Sequence, residues 1–364
     1  MGLIGLMGLM GCSKEEEEQL SADTSIEVMG YMAGFDENTL VTRSWAPTSP
    51  YLLYDESDNS IGIAFTQDGP EPKMGYFFKS SGKWRTNVEN IVPTTTYYLY
   101  GYVPHYGGIS MSITDRDGDY DGANANYSVG AKVSLRNVPA VMPSDLCVVI
   151  GAKNGTDKET VTGLRSGDFA YSASASAEGN FVFLLFDHLY AALRINMKVY
   201  GDYNALRTIK LKSLSMTTKA SDATSSQKTD IVVDLKATDI SNPEESPIQT
   251  ITYIPRGEEI TEPLTFWSSD GEELTTDFKP FTGHFMPDGI TTLILTSVYD
   301  IYDKQGNLIR KDCKATNTML LSELLTGQVT TRRACRYTIN MTIKPTYLYM
   351  LSEPDLNNPT VEVE

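Results

Sequence analysis

Few residues in this chain have types and spacings that could do chemistry. Asp117, Asp119, Asp121 and Gly122, within "DRDGDYDG", match the D-x-D-x-D-G half of a calcium loop. Carboxylate oxygens at alternate positions wrap a hard cation, and the glycine permits the turn. Position twelve of such a loop needs a bidentate Glu, and Ser128 stands there. The run is therefore expected to be a weak Ca²⁺ site at best, with a solvated Asp/Gly turn as the bland alternative. No other cofactor is expected. His105, His188 and His284 lie far apart, and none sits in an HExxH spacing. There is no GxSxG elbow, no GxGxxG and no P-loop. The chain is not expected to be an enzyme.

Two further residues invite a chemical reading. His188 lies in F-x-H-x-x-A-x-L, formed by Phe186, His188, Ala191 and Leu193. A lone His among apolar residues is usually a core residue whose ring nitrogens are hydrogen-bonded. Arg43 stands in "ENTLVTRSWAP" (37–47) and is the only Arg in the first 70 positions. An Arg exposed in a loop is a substrate for trypsin-like proteases, whose acidic pocket pairs with the guanidinium. The bond cut would be that between Arg43 and Ser44. Taken alone, Arg43 reads as an ordinary loop arginine.

The elements that must position these residues read as strands. Ile26–Met32, Ser60–Phe65, Thr96–Val103, Leu146–Ile150, Ala192–Val199, Ile209–Met216, Ile231–Leu235, Thr292–Tyr299 and Tyr337–Ile343 are alternating, β-branched or aromatic runs bounded by turn residues. Asp303 to Asn307 reads as a hairpin connection. Helical periodicity is confined to one or two turns over Met319–Leu325. Many short strands with turn-rich joints predict an all-β protein built of sandwiches. A small polar stretch, "SASASAEGN" (172–180), precedes the apolar "FVFLLFDHLYAALRINMKVY" (181–200) and places a boundary near 178. Lys219 to Thr229 reads as a long surface loop.

Composition narrows the function classes. A chain of 364 residues is too long for one ordinary core, so two domains are expected. The formal charge of −17 argues against nucleic acid and against an anionic membrane surface. Of four cysteines, Cys147, Cys313 and Cys335 follow Cys12, and this odd remainder permits at most one internal disulfide.

The N-terminus is read as targeting. The apolar run 3–10 is too short to span a bilayer and suits the core of a secretory signal. Leu9-Met10-Gly11-Cys12 resembles a bacterial lipobox, in which the cysteine is lipidated. Met10 and the lack of a basic residue before the run depart from that pattern. Residues 13–22, with Glu15 to Glu18, read as a solvated acidic tether. They resemble the acidic signal that sends lipoproteins to the outer face of the outer membrane in Bacteroidetes.

The lipobox, "VTR" ending at Arg43, "YYLYGYVP" (97–104), the F-x-H-x-x-A-x-L run and "YTINMTI" (337–343) together resemble the fimbrillin family of Bacteroidales, the type V pilins. The resemblance implies two tandem transthyretin-like β-sandwich domains, over 23–178 and 179–364. It also implies a surface lipoprotein precursor that a trypsin-like protease cuts after Arg43. The strand before the cut, Ile26–Met32, would leave, and a strand from a neighbouring subunit's C-terminal region would fill the groove. Thr346 to Ser352 is the expected donor, and other pilin subunits are the expected partners. The competing expectation is an uncleaved surface lipoprotein, a pilus anchor or tip or an adhesin. Trp45, Trp84, Trp267 and the tyrosines could then form a sugar-stacking platform.

Overall fold

The computed structural model describes residues 26–32, 34–37, 52–53, 60–116, 124–157, 161–174, 180–238, 246–324, 330–347 and 354–363. The chain opens with β1 (Glu27–Met32), β2 (Asp36–Glu37), β3 (Leu52–Leu53), β4 (Ile61–Thr66), β5 (Lys73–Ser80) and β6 (Lys83–Thr86). Next come β7 (Thr96–Val103), β8 (Ser110–Asp115), β9 (Gly130–Pro139), β10 (Val141–Met142), β11 (Cys147–Gly155) and β12 (Ala170–Ser172). Then follow β13 (Phe181–His188), β14 (Ala191–Val199), α1 (Gly201–Leu206), β15 (Thr208–Ala220), β16 (Ala223–Thr224), β17 (Ser226–Lys236) and β18 (Ile248–Glu259). The last elements are β19 (Leu264–Leu274), β20 (Lys279–Phe285), β21 (Thr292–Tyr302), β22 (Leu308–Leu320), α2 (Leu321–Leu324), β23 (Cys335–Tyr347) and β24 (Pro354–Val363). The protein is all-β, as its alternating runs predict. The 303–307 turn joins β21 to β22, with the Asp303 carboxylate accepting from the Gln305 and Asn307 amides.

Four sheets result. Sheet A runs β3-β1-β13-β11-β7-β4-β5-β6, with β12 also on β7. Sheet C runs β18-β17-β9-β8 and shares a core with one face of sheet A, where Tyr102, Val133, Leu146, Leu185, Ile231 and Val233 meet. The other face of sheet A has its own core, including Ile63, Phe65, Leu99, Val149 and Phe186. Sheet B runs β10-β20-β14-β23-β2, with β24 also on β23. It packs on sheet D, which runs β16-β15-β21-β22 with β19 on β15. Alternation drives that packing: Leu193, Ile195, Met197 and Val199 of β14 all point into the core, and the residues between them are partly exposed.

Two expectations change here. Residue 178 does not separate the sheets. β13 follows it yet lies inside sheet A between β1 and β11. β17 and β18 return still later to pair with β9 in sheet C. Short strands β2 and β10 already lie in sheet B, and its first long strand, β14, follows β13 directly through Leu189 and Tyr190. The composition change at 178 therefore marks the start of a doubly covered strand, every residue of which is buried. The second correction concerns 219–229. These residues are strand ends, with β15, β16 and β17 running through them. Their polarity reflects partly exposed positions along paired strands.

Candidate functional site

The strand before Arg43 is β1, and its setting follows from its alternation. Val28 and Met32 lie against the core on the outer face of sheet A, and Ile26, just before the strand, joins them. Met29 and Tyr31 project the other way, into the core shared with sheet C. Tyr31 meets Phe183 with ring centroids 6.1 Å apart, and burial pushes its phenol up from the ordinary value. A strand buried on both faces carries apolar residues at consecutive positions, as β1 does. Its backbone is bound unevenly. Glu27 to Met32 pair in parallel with Phe181 to Phe186 of β13, whereas among the described residues only Tyr31 and Met32 pair with β3 on the other side. Without β1, six consecutive residues of β13 would face an open edge, and two cores would lose cover.

Gly34 and Phe35 lead from β1 to β2, which pairs in parallel with β23 of sheet B. The N-terminal segment thus touches both halves of the molecule. Phe35 stacks on the His188 ring at 3.9 Å between centroids and lies 6.0 Å from the His284 ring. Two histidines remote in sequence are brought to one aromatic side chain. The His284 ring donates from Nδ1 to the Pro143 carbonyl at 3.0 Å.

The other end of the chain is folded back on itself. β24 pairs antiparallel with β23, Val361 with Ile343 and Val363 with Met341. Val361 is buried, and Leu356 and Val363 pack against the sheet B/D core. Tyr203 donates to the Leu356 carbonyl at 3.2 Å, Arg310 to the Asn357 carbonyl at 2.9 Å, and Asn317 to the Val361 carbonyl at 2.6 Å. Of the expected donor segment, Thr346 and Tyr347 complete β23. Leu348 to Ser352 lie outside the described residues.

So do Cys12, Arg43, Ser44, Trp45, Asp117, Asp119 and Asp121. At the base of the acidic loop, Arg116 donates twice to the Asp234 carboxylate, at 2.8 and 3.1 Å. Trp84 packs on the outer core of sheet A with Lys79 over its ring, while Trp267 packs on Phe281 in the sheet B/D core. These two tryptophans belong to different cores and share no platform. Cys147, Cys313 and Cys335 are buried free thiols. Among the described residues, no helix is long and apolar enough to cross a membrane.

His188 is a core residue, and its Nδ1 is paired with the Asp145 carboxylate. The Cys147 thiol donates to the same carboxylate oxygen at 3.2 Å and lies 3.7 Å from the same ring nitrogen. A nucleophile relay needs the thiol and the carboxylate on opposite nitrogens of the ring. Here both address Nδ1, so the trio is not arranged for nucleophilic catalysis. Next to it, the fully buried Asp187 accepts from Arg333 at 2.7 Å, and Arg333 also donates to the His188 carbonyl at 2.9 Å. This pair ties sheet A to the turn leading into β23. Asp145 and Cys147 were legible in sequence only as a D-x-C spacing beside an apolar run. Nothing in the sequence placed them opposite His188.

No family model and no curated protein matches the sequence. Solved structures of low similarity exist. One is a candidate cell adhesion protein from Bacteroides fragilis, at 9% identity and a TM-score of 0.41, over 94% of this chain and 97% of that one. A fimbrial protein from Bacteroides vulgatus shares 13% identity at a TM-score of 0.32, over 84% and 91%. A candidate cell adhesion protein from Bacteroides uniformis shares 11% at 0.34, over 94% and 98%. At such values no residue role passes from these structures to this chain.

Proposed function

We propose that this protein is a structural subunit of a cell-surface fimbrium that assembles by strand replacement after proteolysis. The precursor is held at the outer membrane through lipid on Cys12. A trypsin-like protease cuts between Arg43 and Ser44, and β1 leaves. A strand from a neighbour's C-terminal region then occupies the vacated edge of β13. The observation that carries this reading is β1 itself: its two faces lie in two cores, and among the described residues it is paired along its full length by β13 alone. Its loss would expose apolar core and unpaired backbone together, which is the condition that favours strand addition. Refilling buries large side chains at about 1.5–3 kcal/mol each before ordering costs. The donor is supported by sequence. Thr346 to Leu351, "TYLYML", aligns with Val28 to Ala33, "VMGYMA", so that Tyr349 and Met350 fall on Tyr31 and Met32. Head-to-tail contacts of this kind do not close, so they propagate as a filament.

Limited trypsin treatment of the precursor tests the proposal. Cleavage after Arg43 is expected before most other basic sites, followed by polymers on gel filtration. Arg43→Ala should stay monomeric, because tethered β1 has a high effective concentration at its own edge. Cut protein that has lost β1 and still runs as a monomer at high concentration would refute the stalk reading. One observation favours a second reading in that event. Thr346 and Tyr347, the start of the proposed donor, belong to β23 and already pair with Asp355 and Pro354 of β24, so the donor would have to leave its own sheet. An uncleaved surface lipoprotein, acting as anchor, tip or adhesin, needs no such release.

A further inference from the structure

We propose that Asp145, Cys147 and His188 form a buried transition-metal site whose donor set suits Zn²⁺. The placement comes from strand geometry. Asp145 stands two residues before Cys147, the first residue of β11, and its carboxylate turns back onto the Cys147 thiol. His188 of β13 is directly opposite Cys147 of β11 in the antiparallel register. The Sγ, the carboxylate oxygen and Nδ1 lie within 4.8 Å of one another. Sγ is 3.2 Å from Oδ2 and 3.7 Å from Nδ1. A tetrahedron with Zn–S of about 2.3 Å and Zn–N and Zn–O of about 2.0–2.2 Å has edges of roughly 3.3–3.6 Å, near the two sulfur separations; Nδ1 and Oδ2, hydrogen-bonded here, lie closer than that and would separate as the ion replaced the proton between them. Convergence of three donors on one point, which spoils a relay, is what a coordinated ion requires.

A second observation points the same way. Asp145 is 5% exposed, and its other oxygen, Oδ1, has no hydrogen-bond partner. Buried carboxylate oxygens are normally satisfied, and one left bare is costly. Chelation by both oxygens would satisfy it and supply a fourth donor. Charge also balances, since a thiolate and a carboxylate against a divalent cation leave no net buried charge. A mixed sulfur, nitrogen and oxygen set selects a borderline ion such as Zn²⁺ over Mg²⁺ or Ca²⁺. Phe35 lies flat against the His188 ring, so the site is closed and the ion would load as the chain folds. The inference does not depend on the assembly reading.

The test is to refold the full chain from denaturant with Zn²⁺, desalt it and measure bound metal. About one tightly held ion per folded chain is expected for the wild type, with a raised Tm against the metal-free preparation. Cys147→Ala and Asp145→Asn, checked for native far-UV circular dichroism, should lose that ion. Ions held loosely by the acidic surface would be common to wild type and variants. Refolding with Co²⁺ gives an independent readout on unmutated protein. A thiolate-to-cobalt absorption band should appear, persist in Cys12→Ala, Cys313→Ala and Cys335→Ala, and vanish in Cys147→Ala. Equal zinc in wild type and Cys147→Ala, or no cobalt–thiolate band in the wild type, overturns the proposal. The trio is then an Asp–His ion pair with a thiol donating to it.

Discussion

Single residues hold the junction between the halves through buried charge. Asp187 is inaccessible and receives the Arg333 guanidinium at 2.7 Å. Removing one partner of a buried pair strands the other, at a cost of about 3–5 kcal/mol. Arg333→Ala is therefore expected to lower stability by that order in chemical denaturation. Asp187→Asn in the same background should restore part of the loss, because the stranded charge is gone. No recovery in the double variant would mean that Arg333 acts through packing. Asp230 makes a pH prediction. Burial pushes its carboxyl up, but the Asn137 amide and Arg256 outweigh this together, so its pKa in the fold lies below the ordinary value. A depressed carboxylate pKa adds stability that is complete above the unfolded value of about 3.9 and is lost as pH falls through the folded value. The wild type should thus lose stability more steeply than Asp230→Asn below about pH 4. Parallel acid limbs would show that Asp230 contributes nothing to acid sensitivity.

At the scale of elements, β11 shows how a local irregularity is built in. Its register against β13 shifts between Val149 and Gly151, leaving Ile150 as the extra residue of a bulge. The 165–168 segment crosses there, with Gly167 donating to the Ile150 carbonyl and Ala152 to the Asp168 carbonyl, both at 2.7 Å. A Cβ on residue 151 would come 2.3 Å from the Arg165 carbonyl oxygen. That contact is backbone and cannot swing aside. Gly151→Ala is expected to cost roughly 1–3 kcal/mol, as other overpacked sites do. A lowered urea midpoint would show it, together with faster hydrogen exchange at Gly167 and Ala152. An unchanged midpoint would mean that the crossing segment yields freely.

For the whole molecule, order in sequence and order in space diverge. The segment 23–178 supplies β1 to β12 but not β13, β17 or β18. Without these, β11 and β9 each lose a partner, and the core between sheets A and C loses Phe183, Leu185, Ile231 and Val233. A fragment ending at 178 is expected to stay unfolded or molten, with poor amide dispersion in NMR spectra. The full chain should show dispersed, protected amides in sheet C. A fragment 23–178 with native-like dispersion would contradict the topology.

The sequence by itself determined that the protein is all-β and where nine of its strands run, because side-chain alternation and β-branched runs are local properties. The turn at 303–307 was equally legible, since Asp303 caps amides only two and four residues away. It also identified His188 as a core residue from its apolar neighbours. Only the tertiary structure decided which strands pair. β13 reads as the head of a new segment, yet it joins sheet A, where β1 and β11 pair with its two edges and separate cores cover its two faces. The polar stretch 219–229 resembles a loop, yet strands run through it, since partly exposed strand positions tolerate the same residues as turns. The meeting of Asp145, Cys147, His188 and Phe35 depends on cross-strand register and on one chain reversal, and neither leaves a mark at short range in the sequence.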